Sequence, residues 1–269
     1  MITIANTIAI SLYLLAAALQ GRHLLNLSKQ PPTQRLLLGL GLGAVIAHGV
    51  SAIFTIYHEQ IIDIGFYRVS SLIFCVISAL TLISLLRRPT NTLVVALYPL
   101  AALSILASSF AAPVIVLSQS MSPGMFAHIL ISILAYSLLT IATIQAITLS
   151  LQERHLKHHH MGGILKTLPP LQTMEQILFE LLWIGMALLS LSLLSGFIFI
   201  DDIFAQHLAH KTFFSILAWC LYATLLWGRH QLGWRSQTAA RWTIGGFISL
   251  MLAYYGSKLV LEFILGGGQ

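Results

Sequence analysis

The sequence predicts an all-α integral membrane protein: a polytopic helix bundle of about eight transmembrane helices with both termini outside the cytoplasm. Three observations support this fold class. The 269 residues are 57% hydrophobic and only 8% charged. Apolar runs of about 20 residues, the length that crosses a bilayer as a helix, recur along the whole chain. The basic residues lie in short clusters between these runs, a pattern that encodes membrane topology.

Eight apolar runs give the predicted spans in chain order. The fourth contains Pro99 and precedes Pro113, and proline is tolerated in a membrane helix when neighbours satisfy the freed carbonyl. The seventh is short, and we expect it to extend by a turn at either end. Together the spans predict a single transmembrane domain over residues 1–269. The spans are approximately Ile2–Gln20, Leu36–Ile56, Phe66–Leu86, Thr92–Phe110, Met125–Leu151, Ile177–Ile200, Thr212–Trp227 and Trp242–Leu265.

The connectors between the spans alternate in charge, and this alternation sets the predicted orientation. Eleven of the 14 basic residues fall on one side of the membrane if all eight spans are counted. The positive-inside rule makes that side cytoplasmic and leaves both termini on the other side. The clusters also explain the net charge of +6 without a nucleic-acid partner. The eleven residues are Arg22, Lys29, Arg35, Arg87, Arg88, Arg154, Lys157, Lys166, Arg229, Arg235 and Arg241.

Cysteine usage and the longest connector give no metal site. Cys75 and Cys220 both lie inside apolar runs and form no C-x-x-C motif, so we expect no disulfide, zinc site or covalent haem attachment. The connector from Gln152 to Gln176 holds the run His158–His160. Such a run can bind a transition metal, but no cysteine or carboxylate pair accompanies it. We interpret it as a flexible, weakly basic loop.

Four histidines within or beside the apolar spans carry the functional prediction: His48, His128, His210 and His230. Polar ring nitrogens are costly in a bilayer and usually functional, and imidazole is the usual axial ligand of haem iron. The topology places His128 and His210 near the outer face and His230 near the inner face. His48 lies ~18 Å into its helix at ~1.5 Å per residue. The alternative for each histidine is a polar residue that bonds a carbonyl on a neighbouring helix.

Several short motifs from His128 onward resemble the cytochrome c assembly family of CcsA, CcmC, HemX and YpjD-like membrane proteins. Eight helices with this spacing look most like the YpjD/HemX-like branch, and the family core is best matched at about residues 66–265. The motifs that carry the resemblance are Ala127-His128-Ile129-Leu130, Ala135-Tyr136, Leu168-Pro169-Pro170-Leu171, Met174-Glu175, Ser195-Gly196, His210-Lys211, Trp219, Tyr222, His230 and Tyr255-Gly256-Ser257-Lys258.

The resemblance implies a bacterial inner-membrane protein that binds or carries haem b for c-type cytochrome maturation. It makes His128 and His230 haem ligands, with His210 and His48 as further candidates; His207 or His210 would be the second outer ligand. The family's outer loop is rich in tryptophan, whereas Asp201 to Lys211 contains none. We therefore expect a haem carrier or chaperone and not an enzyme. The implied partners are the lipid bilayer, haem and other membrane proteins of cytochrome maturation.

A second interpretation remains open at this stage. The chain would keep the fold without binding haem, and would act as a membrane accessory protein that stabilises or regulates a partner such as a transporter. The tryptophan-free loop favours this interpretation, and His128 and His230 favour the first. A small-solute transporter is less consistent with the sequence, because no charged residue is convincingly placed at the midplane of the membrane.

Overall fold

A computed structural model describes residues 2–25, 27–28, 30–58, 61–63, 65–87, 91–111, 115–117, 122–157, 168–199 and 206–256. Within these residues the chain forms eight α-helices, and seven of them are long and apolar enough to cross a membrane. The predicted all-α, polytopic membrane fold is thereby confirmed, while the orientation of the termini stays a prediction. The helices are α1 (Ile2–Leu24), α2 (Gln34–Ile56), α3 (Phe66–Arg87), α4 (Asn91–Phe110), α5 (Pro123–Lys157), α6 (Leu171–Phe199), α7 (Gln206–Leu232) and α8 (Ser236–Met251).

The helices extend beyond the apolar runs from which they were predicted. Helix α7 begins six residues before the predicted Thr212 and ends five residues after Trp227. Helix α8 begins at Ser236 instead of Trp242, and a π-helical turn, Leu252–Gly256, follows it. An apolar run marks only the part of a helix in hydrocarbon, whereas the backbone continues to hydrogen-bond through polar flanking residues. The predicted end of the eighth span, at Leu265, lies outside the described residues.

A small antiparallel sheet, which the sequence did not predict, joins two of the connectors. Its strands are β1 (Tyr57–His58), β2 (Ile61–Asp63) and β3 (Ile115–Leu117), in the order β1-β2-β3. Ile62 pairs with Tyr57 on one side and with Val116 on the other. Strands of two or three residues are too short for periodicity to reveal.

The chain divides into two compact units: unit 1 comprises residues 1–120 and 155–170, and unit 2 comprises residues 121–154 and 171–269. The core of unit 1 is formed by α1 to α4 and contains small residues and two fully buried tyrosines, Tyr13 and Tyr98. Their rings lie 4.9 Å apart. Beside them Gly41 leaves room for Tyr98, because a Cβ there would lie 2.6 Å from its hydroxyl oxygen. The predicted single domain stays a prediction.

The core of unit 2 is formed by α5 to α8. Leu139, Leu178, Leu182 and Tyr222 are fully buried at its centre. Neighbouring helices run antiparallel in this unit. For example, Ser190 of α6 contacts Trp219 of α7, and Glu175 of α6 contacts Arg229 of α7. Residue numbers therefore decrease along α6 in the direction in which they increase along α7.

Hydroxyl groups inside the helices find partners on their own backbone. Thr81, Thr143 and Thr243 each donate to the carbonyl four residues earlier, at 2.8 Å. An unpaired hydroxyl in an apolar environment costs free energy, so these bonds let polar residues occupy membrane helices. Groups that cannot bond their own backbone in this way, such as the His48 imidazole and the Glu175 carboxylate, have partners on other helices or connections.

Adjacent glycines on α8 provide a matched test of the packing in unit 2. A Cβ at Gly246 would lie 2.7 Å from the Tyr222 ring, whereas a Cβ at Gly245 would meet no atom within 4 Å. Gly246→Ala should therefore lower the free energy of unfolding by ~1–3 kcal/mol, as overpacked cores do. Gly245→Ala should leave it unchanged or slightly higher. Thermal unfolding of both variants in detergent measures the difference, and equal midpoints would contradict the packing.

Candidate functional site

The N-terminal end of α5 packs closely against the C-terminal end of α6 in unit 2. His128 lies at this junction. Gly124 permits the approach, because a Cβ there would lie 2.3 Å from the ring of Phe199. One helical turn further along α5, the half-buried His128 turns its Nδ1 toward α6. Nδ1 lies 3.0 Å from the carbonyl oxygen of Ser192 and 3.0 Å from the hydroxyl oxygen of Ser195.

These contacts fix the tautomer of His128. A carbonyl oxygen only accepts hydrogen bonds, so Nδ1 must carry the proton that it shares with Ser192. The Ser195 hydroxyl donates to the same carbonyl at 2.9 Å, which leaves its oxygen free to accept from Nδ1. In a neutral imidazole Nε2 then has no proton and presents a lone pair. Nε2 has no hydrogen-bond partner among the residues that the structure describes.

A second hydroxyl strengthens the α5–α6 junction around His128. The Ser132 hydroxyl donates to the His128 carbonyl at 2.6 Å and lies 2.7 Å from the Ser192 hydroxyl. Three serines on two helices therefore link α5 to α6 beside the His128 imidazole. The sequence analysis did not identify Ser132 or Ser192 as site residues. Serines three residues apart in an apolar helix, as at Ser192 and Ser195, were the available signal.

His210 and Lys211 lie near the start of α7 in the same half of unit 2. The Nε2 atom of His210 is buried and has no hydrogen-bond partner in the described part of the chain. The half-buried Lys211 makes no ion pair there. The side chain of His207 lies outside the described residues, so its predicted role as a second outer ligand stays a prediction.

His48 lies in unit 1 and is almost fully buried. Its Nε2 is 2.9 Å from the hydroxyl of Ser71 on α3, and its Nδ1 is 3.3 Å from the hydroxyl of Tyr13 on α1. Both ring nitrogens therefore have partners, which favours the alternative of a satisfied polar residue over a ligand. His48 as a haem ligand stays a prediction. His128, the first candidate, lies in the other unit.

His230 is exposed and lies at the C-terminal end of α7. It follows Arg229, which belongs to a charged cluster at this end of unit 2. The buried carboxylate of Glu175 pairs with Arg229 at 2.5 Å and with Arg235 at 3.1 Å. The Arg229 guanidinium also lies 4.5 Å from the centre of the Phe179 ring. Glu175 was predicted only as part of the Met174-Glu175 motif, and the contacts show that it joins α6 to the α7–α8 connection.

The structure does not bring His128 and His230 together. His128 contacts α6 at Ser192, whereas the neighbour of His230, Arg229, contacts α6 at Glu175. Seventeen residues of helix separate these two levels, which is ~25 Å at ~1.5 Å per residue. One iron atom therefore cannot be bound by both. His128 and His230 lie at opposite ends of unit 2, as their predicted depths require.

No group of three or more His, Cys, Asp or Glu residues that could hold a bare metal ion occurs within the described ranges. A porphyrin supplies four nitrogen ligands of its own, so haem iron needs only one or two from the protein. The single free Nε2 of His128 fits that requirement. The sequence features Asp201-Asp202, His158–His160 and Lys258 lie outside the described residues.

A polytopic α-helical membrane protein with an oriented imidazole at one end of its second unit is the class that this fold and site define. The family model described as Cytochrome C assembly protein matches residues 39–265. The chain belongs to this family. The resemblance identified from the sequence motifs is thereby confirmed, and the family suggests a role in the biogenesis of c-type cytochromes.

Curated relatives support the same assignment. The chain is 34% identical over 143 residues to the inner membrane protein YpjD of Escherichia coli K12, a match over 53% of this chain and 54% of that protein. An uncharacterized 28.8 kDa protein of Azospirillum brasilense is 31% identical over 61% of each chain. Protein HemX of Brevibacillus brevis is 23% identical over 48% of each.

The chain spans about half the length of the curated relatives that it matches most strongly, and no solved structure matches it. The relatives named as inner membrane proteins and the seven candidate spans agree on location. The chain is a multi-pass protein of the bacterial inner membrane, as predicted.

The contrast between His48 and His230 generates a stability prediction. His48→Leu leaves the buried hydroxyls of Tyr13 and Ser71 without their imidazole partner and should destabilise unit 1 by ~1–3 kcal/mol. His230→Leu removes an exposed side chain and should change stability by less than ~0.5 kcal/mol. Thermal unfolding in detergent compares the two variants. A His48 variant as stable as the His230 variant would show that the buried contacts contribute nothing.

Proposed function

We propose that this protein binds haem b through His128 and carries it during the maturation of c-type cytochromes. The family supports the process, and the geometry around His128 supports the ligand. The single observation that carries the proposal is the pairing of Nδ1 with the Ser192 carbonyl. A histidine that binds a metal through Nε2 commonly donates its other ring N–H to a carbonyl or carboxylate, which fixes the tautomer and the ring orientation.

Each of the residues around His128 has a defined task in this proposal. The Ser192 carbonyl holds the Nδ1 proton, so that Nε2 stays unprotonated and available. Ser195 and Ser132 hold the carbonyl and the two helices in place. When bound, haem supplies an iron centre that accepts the Nε2 lone pair and a vinyl-bearing ring that can later be joined to an apocytochrome. The protein then needs to orient and release this cofactor, and no catalytic side chain is required.

The other candidate histidines differ in their suitability. His210 lies in the same half of unit 2 and has an unpaired ring nitrogen, so we propose it as a second ligand on the same side. His230 lies at the opposite end and would serve a separate stage, at which haem is first received. Both nitrogens of His48 are occupied by Ser71 and Tyr13. We therefore propose that His48 stabilises unit 1 and does not bind haem.

A non-haem accessory protein is the second candidate function, and the tryptophan-free segment from Asp201 to Lys211 favours it. In that case the serines around His128 would only pack α5 against α6, and the protein would stabilise or regulate a membrane partner such as a transporter. Haem binding separates the two candidates directly. A carrier binds haem after purification, whereas an accessory protein does not.

The visible absorption spectrum of the purified protein, supplemented with haem, tests the first proposal. We expect a Soret band in the wild type and its strong reduction in His128→Ala, because this variant removes the oriented Nε2 that we propose to bind the iron. His48→Gln serves as the matched control, since it alters a buried histidine of the other unit, and its band should persist. A wild type without a Soret band would favour the accessory function.

Removal of the Ser195 hydroxyl tests the orientation of the ligand. Ser195→Ala takes away one of the two oxygens near Nδ1 but leaves the Ser192 carbonyl. We expect haem affinity to fall by about tenfold, the lower end of the range for partners that orient a metal ligand. Thr148→Ala, which removes a hydroxyl that donates to the Ile144 carbonyl within α5, should leave the affinity unchanged. Equal affinities for both variants and the wild type would exclude an orienting role for Ser195.

A further inference from the structure

Lys211 is a cation without a structural explanation in unit 2. It is half-buried, and no carboxylate pairs with it among the described residues. It lies in the second turn of α7, and a positive charge near the N-terminus of a helix is not stabilised by the helix dipole. Burying an unpaired ammonium group costs free energy, so its position indicates that an anionic partner is missing.

The neighbouring residue is also unsatisfied. The Nε2 atom of His210 is buried without a hydrogen-bond partner in the part of the chain that the structure describes. Buried polar atoms are nearly always paired in native proteins. Two consecutive residues of α7 that both have unused hydrogen-bonding capacity indicate a polar ligand at this turn.

The register between α6 and α7 places this turn close to the level of His128. The Trp219 ring nitrogen donates to the Ser190 hydroxyl at 2.9 Å, which gives a common reference level. Lys211 lies eight residues from Trp219, ~12 Å along α7. Ser192 and Ser195, which hold His128, lie ~3–8 Å beyond Ser190 in the same direction. The axial offset of ~4–9 Å is smaller than the width of a porphyrin ring.

We propose that Lys211 binds a propionate carboxylate of the haem whose iron is held by His128. This proposal rests on the proposed function, since it identifies the group that recognises the periphery of the same cofactor. A Lys ammonium provides three hydrogen-bond donors and a full positive charge, and the propionates are the only anionic groups of the porphyrin. The residue would select haem over uncharged porphyrins and would set its orientation relative to α7.

An anionic lipid phosphate has the same chemistry as a propionate for a lysine side chain. The haem propionate is favoured because Lys211 is half-buried beside the unpaired His210. A lysine that serves lipid headgroups usually extends its ammonium into the interface. Competition between haem and phosphatidylglycerol distinguishes the two sources of the anionic group.

Haem and its dimethyl ester, in which both propionates are neutral, provide the test. The full-length protein in detergent is titrated with each compound, and dissociation constants are taken from the Soret absorbance. We expect the wild type to bind haem about tenfold more tightly than the ester, the value of a charge-assisted hydrogen bond. Lys211→Gln should lose this preference, with unchanged affinity for the ester. Lys211→Arg should restore it, and Lys157→Gln should behave as the wild type.

Each other outcome overturns the proposal in a recognisable way. If the wild type binds haem and ester equally, or Lys211→Gln keeps the preference, the propionate contact is wrong but the proposed function stands. If neither compound binds, both the contact and the proposed function fail. If phosphatidylglycerol competes with haem in the wild type but not in Lys211→Gln, and haem and ester bind equally, the lysine serves a lipid instead. Gel filtration and circular dichroism establish that each variant is folded.

Discussion

The structure depends on one constraint: a polar side chain in an apolar membrane helix needs a partner, because burial without one costs free energy. Different residues meet this constraint in different ways. His48 has partners for both ring nitrogens, and the Glu175 carboxylate has two arginines. Among the residues that the structure describes, His128 has a partner for one nitrogen, and the Nε2 of His210 has none. The paired groups stabilise the fold, and the unpaired nitrogens of His128 and His210 lie in the same half of unit 2.

Within unit 2 the satisfied groups position the unsatisfied ones. Glu175 joins the start of α6 to Arg229 and Arg235 around the α7–α8 connection, and this fixes the register of α6 and α7. The Trp219–Ser190 hydrogen bond maintains the same alignment of α6 and α7 toward the level of His128. Under the proposed function, a ligand nitrogen held in this way would need little rearrangement to bind iron, and less reorganisation means tighter binding for the same contacts. The ion pairs at one end of the unit are therefore linked by α6 and α7 to the proposed ligand at the other end.

Much of the fold follows from the sequence because hydrophobic length and charge alternation are strong signals in membrane proteins. The helices were all predicted, and ends such as Ile56 and Phe110 agree with the structure. Ends in polar flanks were missed, as at Ser236 and Gln206, because polar flanks continue a helix without an apolar signature. Sequence also singled out His128. The sequence could not reveal the Ser192 carbonyl that orients His128, because every residue has a backbone carbonyl and none is marked by its residue type. Nor could it show that both ring nitrogens of His48 have partners, because those contacts join helices that are distant in the chain.

Chemical rescue tests most directly whether His128 supplies a ligand nitrogen to haem iron. His128→Gly removes the imidazole and leaves space where the ring stood, and free imidazole can then be added to the purified, haem-supplemented variant. The account predicts that added imidazole restores the Soret band and the spectral type of the wild type in a saturable manner. The account would be contradicted if His128→Gly already showed the wild-type spectrum without imidazole. It would equally be contradicted if the folded variant gave no band at any imidazole concentration.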